Sequence, residues 1–305
     1  MKLFLSKLLI VIIPVGILLV TMEMLNRRND ESSIYFQKKY FLENSDKLDG
    51  LIFGSSFMWC GIQPQYLDGN VGSFALAGSA LNIDYSIFSY AKEVSQPKFV
   101  LLDASKTYFV NYQGGHFIRS TKLPYYFPTI KDHELTGYFL TEMPLSQYFP
   151  LKTSLKYDQR GYQLEIPEEW NVFKEVDYQD SLIDKHPRVE RQYASMKGII
   201  RANKVQDNLD LYRKILEECL EENIKVVFVS PPKYHLFNEF VDRQRLEERD
   251  AFMKEVVDNE HIFFLNYDKA YEKNSQLFFD LNHLNNEGSM EFTKALNRDL
   301  KSILN

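Results

Sequence analysis

At 305 residues the chain is long enough to bury a substantial core, as one large domain or two small ones. Its 36 basic and 42 acidic residues give a formal charge of −6 with no basic stripe, which argues against a nucleic-acid partner. The 19 Tyr and 23 Phe exclude general disorder.

The first segment differs from the rest. Lys2 and Lys7 precede an apolar run from Leu8 to Val20, and no acidic residue follows until Glu23. A basic start before such a run reads as an export signal or an uncleaved anchor. No small-residue cleavage site is evident, so residues 1–28 are expected to form an N-terminal transmembrane helix, with Lys7 snorkelling to lengthen a short span. Arg27 and Arg28 partly offset the basic start. The expectation is a single-pass protein of the cell membrane with residues 29–305 as an extracytoplasmic domain.

Within that domain, short apolar runs at 51–53, 73–76, 99–102, 226–229 and 262–265 read as buried strands. Helical patterns fall at 81–94, 203–222, 239–258 and 286–303. This alternation predicts an α/β fold, a three-layer α/β/α sandwich on a five-stranded parallel sheet. Residues 106–200 break the rhythm with Tyr108, Phe109, Tyr112, Phe117, Tyr125, Tyr126, Phe127, Tyr157, Tyr162 and Trp170, among others. So long a connection is expected to be an inserted cap over the carboxyl edge of the sheet. Its aromatics can stack on sugar rings or form the cap's own core.

Two motifs carry chemistry. Gly54-Ser55-Ser56 directly follows the first strand, where an open parallel sheet places its ligands. Either serine can cap the next helix, and a hydroxyl there can also face the crevice. Asp280-Leu281-Asn282-His283 follows the last strand, and a loop with Asp and His three residues apart can present both to one cleft. His283 would take the Ser56 proton while Asp280 fixes its tautomer. His235 is a second candidate base without an acid at suitable spacing, and Ser230-Pro231-Pro232 is expected to wall the pocket. His116, His133, His186 and His261 read as surface or structural. Cys60 and Cys219 read as packed thiols, and neither a metal-ligand cluster nor a nucleotide fingerprint appears.

Gly54-Ser55-Ser56, Gly78 after the second strand and Asp280-x-x-His283 before the last helix together resemble the SGNH/GDSL hydrolase superfamily. The resemblance spans roughly 48–105 and 203–303. It is closest to the membrane-anchored acyltransferase-like branch that includes the D-alanyl transfer protein of teichoic acid synthesis and the alginate O-acetylation proteins. It implies a flavodoxin-like sheet, Ser56 as nucleophile, and Asp280 and His283 as its partners. It also implies an oxyanion hole from the Ser56 and Gly78 N–H groups and an asparagine side chain after strand three. That asparagine is missing, since the chain reads Asp103-Ala104-Ser105, so Ser105 or Asn82 is the candidate third donor. One lost donor typically costs about 10²–10³ in rate.

The function expected is therefore a membrane-anchored serine O-acyltransferase or esterase, acting with acetyl on an extracytoplasmic glycan without a cofactor. A multi-span membrane protein would donate the acyl group. The alternative is a catalytically inactive glycan-binding or scaffold subunit.

Overall fold

Four of the short apolar runs become parallel strands packed against helices, and the fifth strand of the sheet lies just before the run at 73–76. The computed structural model describes residues 7–18, 21, 32–105, 127, 156–201, 205–241 and 243–304. The strands are β1 (Gly50–Phe53), β2 (Val71–Ser73), β3 (Phe99–Asp103), β4 (Lys225–Ser230) and β5 (Ile262–Asn266), in sheet order β2-β1-β3-β4-β5. The order reverses at β1, which puts a crevice outside the carboxyl ends of β1 and β3. In register, Ile52 pairs Leu101, Leu101 pairs Val227 and Val227 pairs Phe263. Residues one apart on each strand therefore enter opposite cores. Leu51, Phe53, Val100, Leu102, Val226 and Phe228 enter one, and Ile52, Leu101, Val227 and Val229 the other.

The helices that matter below are α1 (Ser33–Asn44), α2 (Ser56–Gly61), α3 (Leu81–Val94), α4 (Pro187–Arg201), α5 (Val205–Glu221), α6 (His235–Phe240), α7 (Arg243–Val256) and α8 (Asn286–Leu304). α1, α3, α5 and α7 supply the first core and α2, α6 and α8 the second, which makes the three layers. Two boundaries depart from the sequence expectation. β2 begins at Val71, and the chain at 74–76 continues alongside β1 through Phe74 N–H to Ile52 O and Leu76 N–H to Gly54 O. The pattern over 239–258 belongs to two helices, α6 and α7, instead of one.

The N-terminal expectation is overturned. Residues 7–18 are helical, with apolar side chains exposed from Leu8 to Leu18. Pro14 within them removes one helix donor. Among the described residues no helix is long and apolar enough to cross a membrane. The transmembrane helix and the single-pass placement are both withdrawn. Lys2, Glu23, Arg27 and Arg28 lie outside the described residues.

Most of the expected cap also lies outside them, including Tyr108, Phe109, Tyr112, Phe117, Tyr125, Tyr126, His116 and His133. Of the aromatics that are described, Phe127 is fully buried, edge-on to Phe74 and Tyr90, and Tyr162 is buried with its hydroxyl on Ser289 Oγ. These two serve packing. Neither offers a face to a sugar.

Candidate active site

The nucleophile turn starts at Gly54, whose φ of +146° is open only to glycine. A Cβ there would also meet Asp103 Cβ and Met58 Cγ at 2.6 Å. The two serines that follow divide the two roles open to them in the sequence. Ser55 is the N-cap of α2, its hydroxyl accepting from Phe57 N–H and donating to Asp103 Oδ2 at 2.6 Å. Ser56 is the first helical residue and is half-buried, its hydroxyl turned to the crevice.

The base arrives on a loop closed by the bridge between Phe278 and Leu284. Phe278, Leu281 and Leu284 anchor the loop in the second core, while Asp280, Asn282 and His283 stay partly exposed. His283 Nε2 lies 2.8 Å from Ser56 Oγ, and Nδ1 lies 2.9 Å from Asp280 Oδ2. Asp280 Oδ1 also accepts the backbone N–H groups of Asn282 and His283, at 3.0 and 2.9 Å. The carboxylate and the imidazole are thus fixed by the same three-residue turn. The rings of Phe57 and Phe279 stack on the imidazole, with centroids 5.5 and 5.4 Å away. Side-chain exposures of 15% for His283 and 13% for Asp280 leave the site reachable from solvent.

Further contacts hold this loop, and none was evident in the sequence. Asn285 at the head of α8 accepts from Gly288 N–H and donates to Gln276 O and Phe278 O. Gly288 lets the helix approach so closely that a Cβ would stand 2.1 Å from Leu277 O. From the segment before α5, Val172 N–H reaches Phe279 O and Gln192 in α4 reaches Asn282 Oδ1. The available signal was the Asn and Gly spaced two and five residues after His283.

Gly78 forms the turn between β2 and α3 with a φ of +79°, as a type II turn needs at that position. Leu76 N–H binds Gly54 O, which lays this turn beside the nucleophile turn, and Gly78 is exposed. Among the described residues no acceptor takes the Ser56 N–H. Ser105 is fully buried and donates both N–H and O–H to Asp103 Oδ1, at 2.8 and 2.5 Å, so neither is left for an oxyanion. Asn82 sits in the first turn of α3.

Ser230, Pro231 and Pro232 are buried, with Pro231 packed close to Gly61 at the end of α2. Tyr234 N–H, just beyond them, braces Leu281 O at 3.0 Å. His235 does have an acid, with Glu239 at 3.0 Å one helical turn on, and His186 is buried against Glu175. Burial pushes both thiols up, Cys219 to about 12. Among the described residues no three His, Cys, Asp or Glu side chains converge on a metal-sized site.

No family model matches the chain, and no curated protein matches it. Solved structures are similar at low identity, two of them as follows. One is a Bacteroides fragilis protein provisionally described as an acylhydrolase, with 10% identity and a TM-score of 0.41, covering 86% of this chain and 95% of its own. The other is a Streptococcus pneumoniae protein provisionally described as a platelet activating factor, with 11% identity and a TM-score of 0.43, covering 94% and 99%.

Proposed function

We propose that the chain is a serine acyl-transfer enzyme of the esterase type. One observation carries this reading: Ser56 Oγ, both nitrogens of His283 and the Asp280 carboxylate form a continuous hydrogen-bonded line at an open sheet edge. In the step proposed, His283 Nε2 takes the Ser56 proton as Oγ attacks an acyl carbonyl. Asp280 holds the Nδ1 proton and stabilises the imidazolium. The N–H groups of Ser56 and Gly78 receive the oxyanion. His283 then passes its proton to the departing alkoxide, leaving acyl-Ser56, and next activates the water or hydroxyl that takes the acyl group away. A short acyl group such as acetyl, and a glycan hydroxyl as acceptor, extend the reading along the family resemblance.

The test is p-nitrophenyl acetate hydrolysis by the full chain beside Ser56→Ala and His283→Ala. Turnover is expected to fall about 10³-fold or more in each. Wild-type turnover no higher than that of both variants would remove the assignment.

A non-catalytic, glycan-binding reading has one observation in its favour, that Asp103 and Ser105 leave no side-chain donor after β3. A serine-reactive fluorophosphonate separates the two readings. Labelling abolished by Ser56→Ala supports the enzyme, and absence of labelling in the wild type supports the binding subunit.

A further inference from the structure

We infer that Asp103 is a positioning residue for the acylation step, aiming the Ser56 N–H at the oxyanion. This rests on the esterase reading above. Asp103 ends β3 with its carboxylate buried, in register with Val229 of β4. Oδ2 accepts the Ser55 N–H at 3.1 Å and the Ser55 hydroxyl at 2.6 Å, while Oδ1 accepts both donors of Ser105. The carboxylate also packs against Gly54, so its place and the turn's unusual φ depend on each other.

The consequence for Ser56 follows from peptide planarity. Ser55 is restrained at its N–H and hydroxyl by Asp103, and at its carbonyl by Met58 and Trp59 N–H at 3.1 and 3.0 Å. In a trans peptide the carbonyl and the next N–H point in opposite directions. A Ser55 carbonyl drawn into α2 therefore sends the Ser56 N–H out of the helix start, towards the crevice. Releasing Ser55 from Asp103 would free that plane to tilt. The resemblance puts a side-chain oxyanion donor after strand three, whereas this chain has an acceptor there. On the esterase reading its site depends instead on backbone donors such as the Ser56 N–H, and an oxyanion hole works through preorganised donors. Lys233, buried among Ser230, Pro231 O and Asp268, attracts Asp103 and offsets its charge.

Asp103→Asn tests this in the full chain with p-nitrophenyl acetate, because it keeps the shape, removes one acceptor and adds an amide donor. The expected result is a kcat about ten- to a hundred-fold lower with KM within about threefold. In Asp103→Asn/Ser55→Ala the losses should not add, since both changes release one tether. Tyr212→Phe is the structural control. It deletes a hydrogen bond to the backbone carbonyl of Asp103 and should lower the unfolding midpoint with kcat unchanged. A kcat at or above wild type in Asp103→Asn overturns the inference and assigns the position to donation or to packing. If that variant does not fold, Ser55→Ala carries the same test. A tenfold lower kcat at constant KM supports positioning, and a wild-type kcat refutes it. Wild-type turnover no faster than Ser56→Ala is a separate result, which removes the esterase reading and this inference with it.

Discussion

Two clusters of serine, base and carboxylate lie at the same edge of the sheet, and only one is built to react. In the open cluster, Ser56 faces His283 Nε2 and Asp280 faces Nδ1. In the sealed one, Ser230 Oγ lies 3.2 Å from Lys233 Nζ and 2.6 Å from Asp268 Oδ1, with Arg249 on Oδ2 at 2.8 Å. By residue type alone the second could pass for a serine–lysine nucleophile. Its hydroxyl, however, donates to the carboxylate. Its ammonium is spent on Ser230, Asp268 and Pro231 O, and Ser230 and Lys233 are both fully buried. Burial draws the Lys233 pKa down while Asp268 and Asp103 draw it back up. A nucleophile needs a base with a lone pair aimed at its proton and a path for the substrate. Only the open cluster has both. The sealed one is its floor, with Lys233 Nζ 5.1 Å from the ring of Phe57, which stacks on His283.

The comparison is sharpest at one charged residue of each cluster. Asp280→Asn should lower kcat for p-nitrophenyl acetate about 10³–10⁴-fold, because an amide stabilises the wrong imidazole tautomer. The unfolding midpoint should change little, since the amide oxygen can still accept from Asn282 and His283. A loss under tenfold would mean that His283 does not act as the base. Lys233→Met should do the reverse. Removing one partner from a buried ionic cluster costs about 3–5 kcal/mol of stability, read by urea unfolding. The kcat of the folded fraction should stay within about tenfold of wild type. A large loss of kcat at unchanged stability would instead draw the sealed cluster into the chemistry.

What could be read from the sequence was whatever repeats locally. Continuous apolar runs marked four strands and missed the second by two residues, and α3 and α8 showed as periodic stretches, because burial on two faces or along one stripe leaves its pattern in neighbouring residues. The motifs at Ser56 and His283 were visible as pieces, but the bond that joins them spans 227 positions. Asp103 was overlooked for the same reason, since its partner Ser55 lies 48 residues away. Its one local sign was a charge ending an otherwise apolar strand. The N-terminal run misled because an apolar run does not by itself make a spanning helix, and among the described residues no helix is long and apolar enough to cross a membrane. The sealed cluster stayed hidden because Ser230, Lys233, Arg249 and Asp268 look like ordinary loop and surface residues until the fold buries them.

The smallest effect expected of the three variants in this comparison concerns how the open cluster is held. Among the described residues its loop has no ionic lock like that of Asp268. It depends on Asn285 and on the closeness of α8 to Leu277, which Gly288 allows. In Gly288→Ala the new methyl would meet a backbone carbonyl at 2.1 Å, and no side chain can rotate to relieve that contact. Either α8 or the loop must move, at about 1–3 kcal/mol for a forced core insertion. Leu277 leads directly into the bridge at Phe278 that closes the loop, so the shift passes to His283. A lower kcat with an unchanged rate of Ser56→Ala background hydrolysis would place the displacement at the base. Wild-type stability and wild-type kcat together would show that the closeness of α8 to Leu277 does not hold the loop, leaving that to the hydrogen bonds of Asn285, Val172, Gln192 and Tyr234.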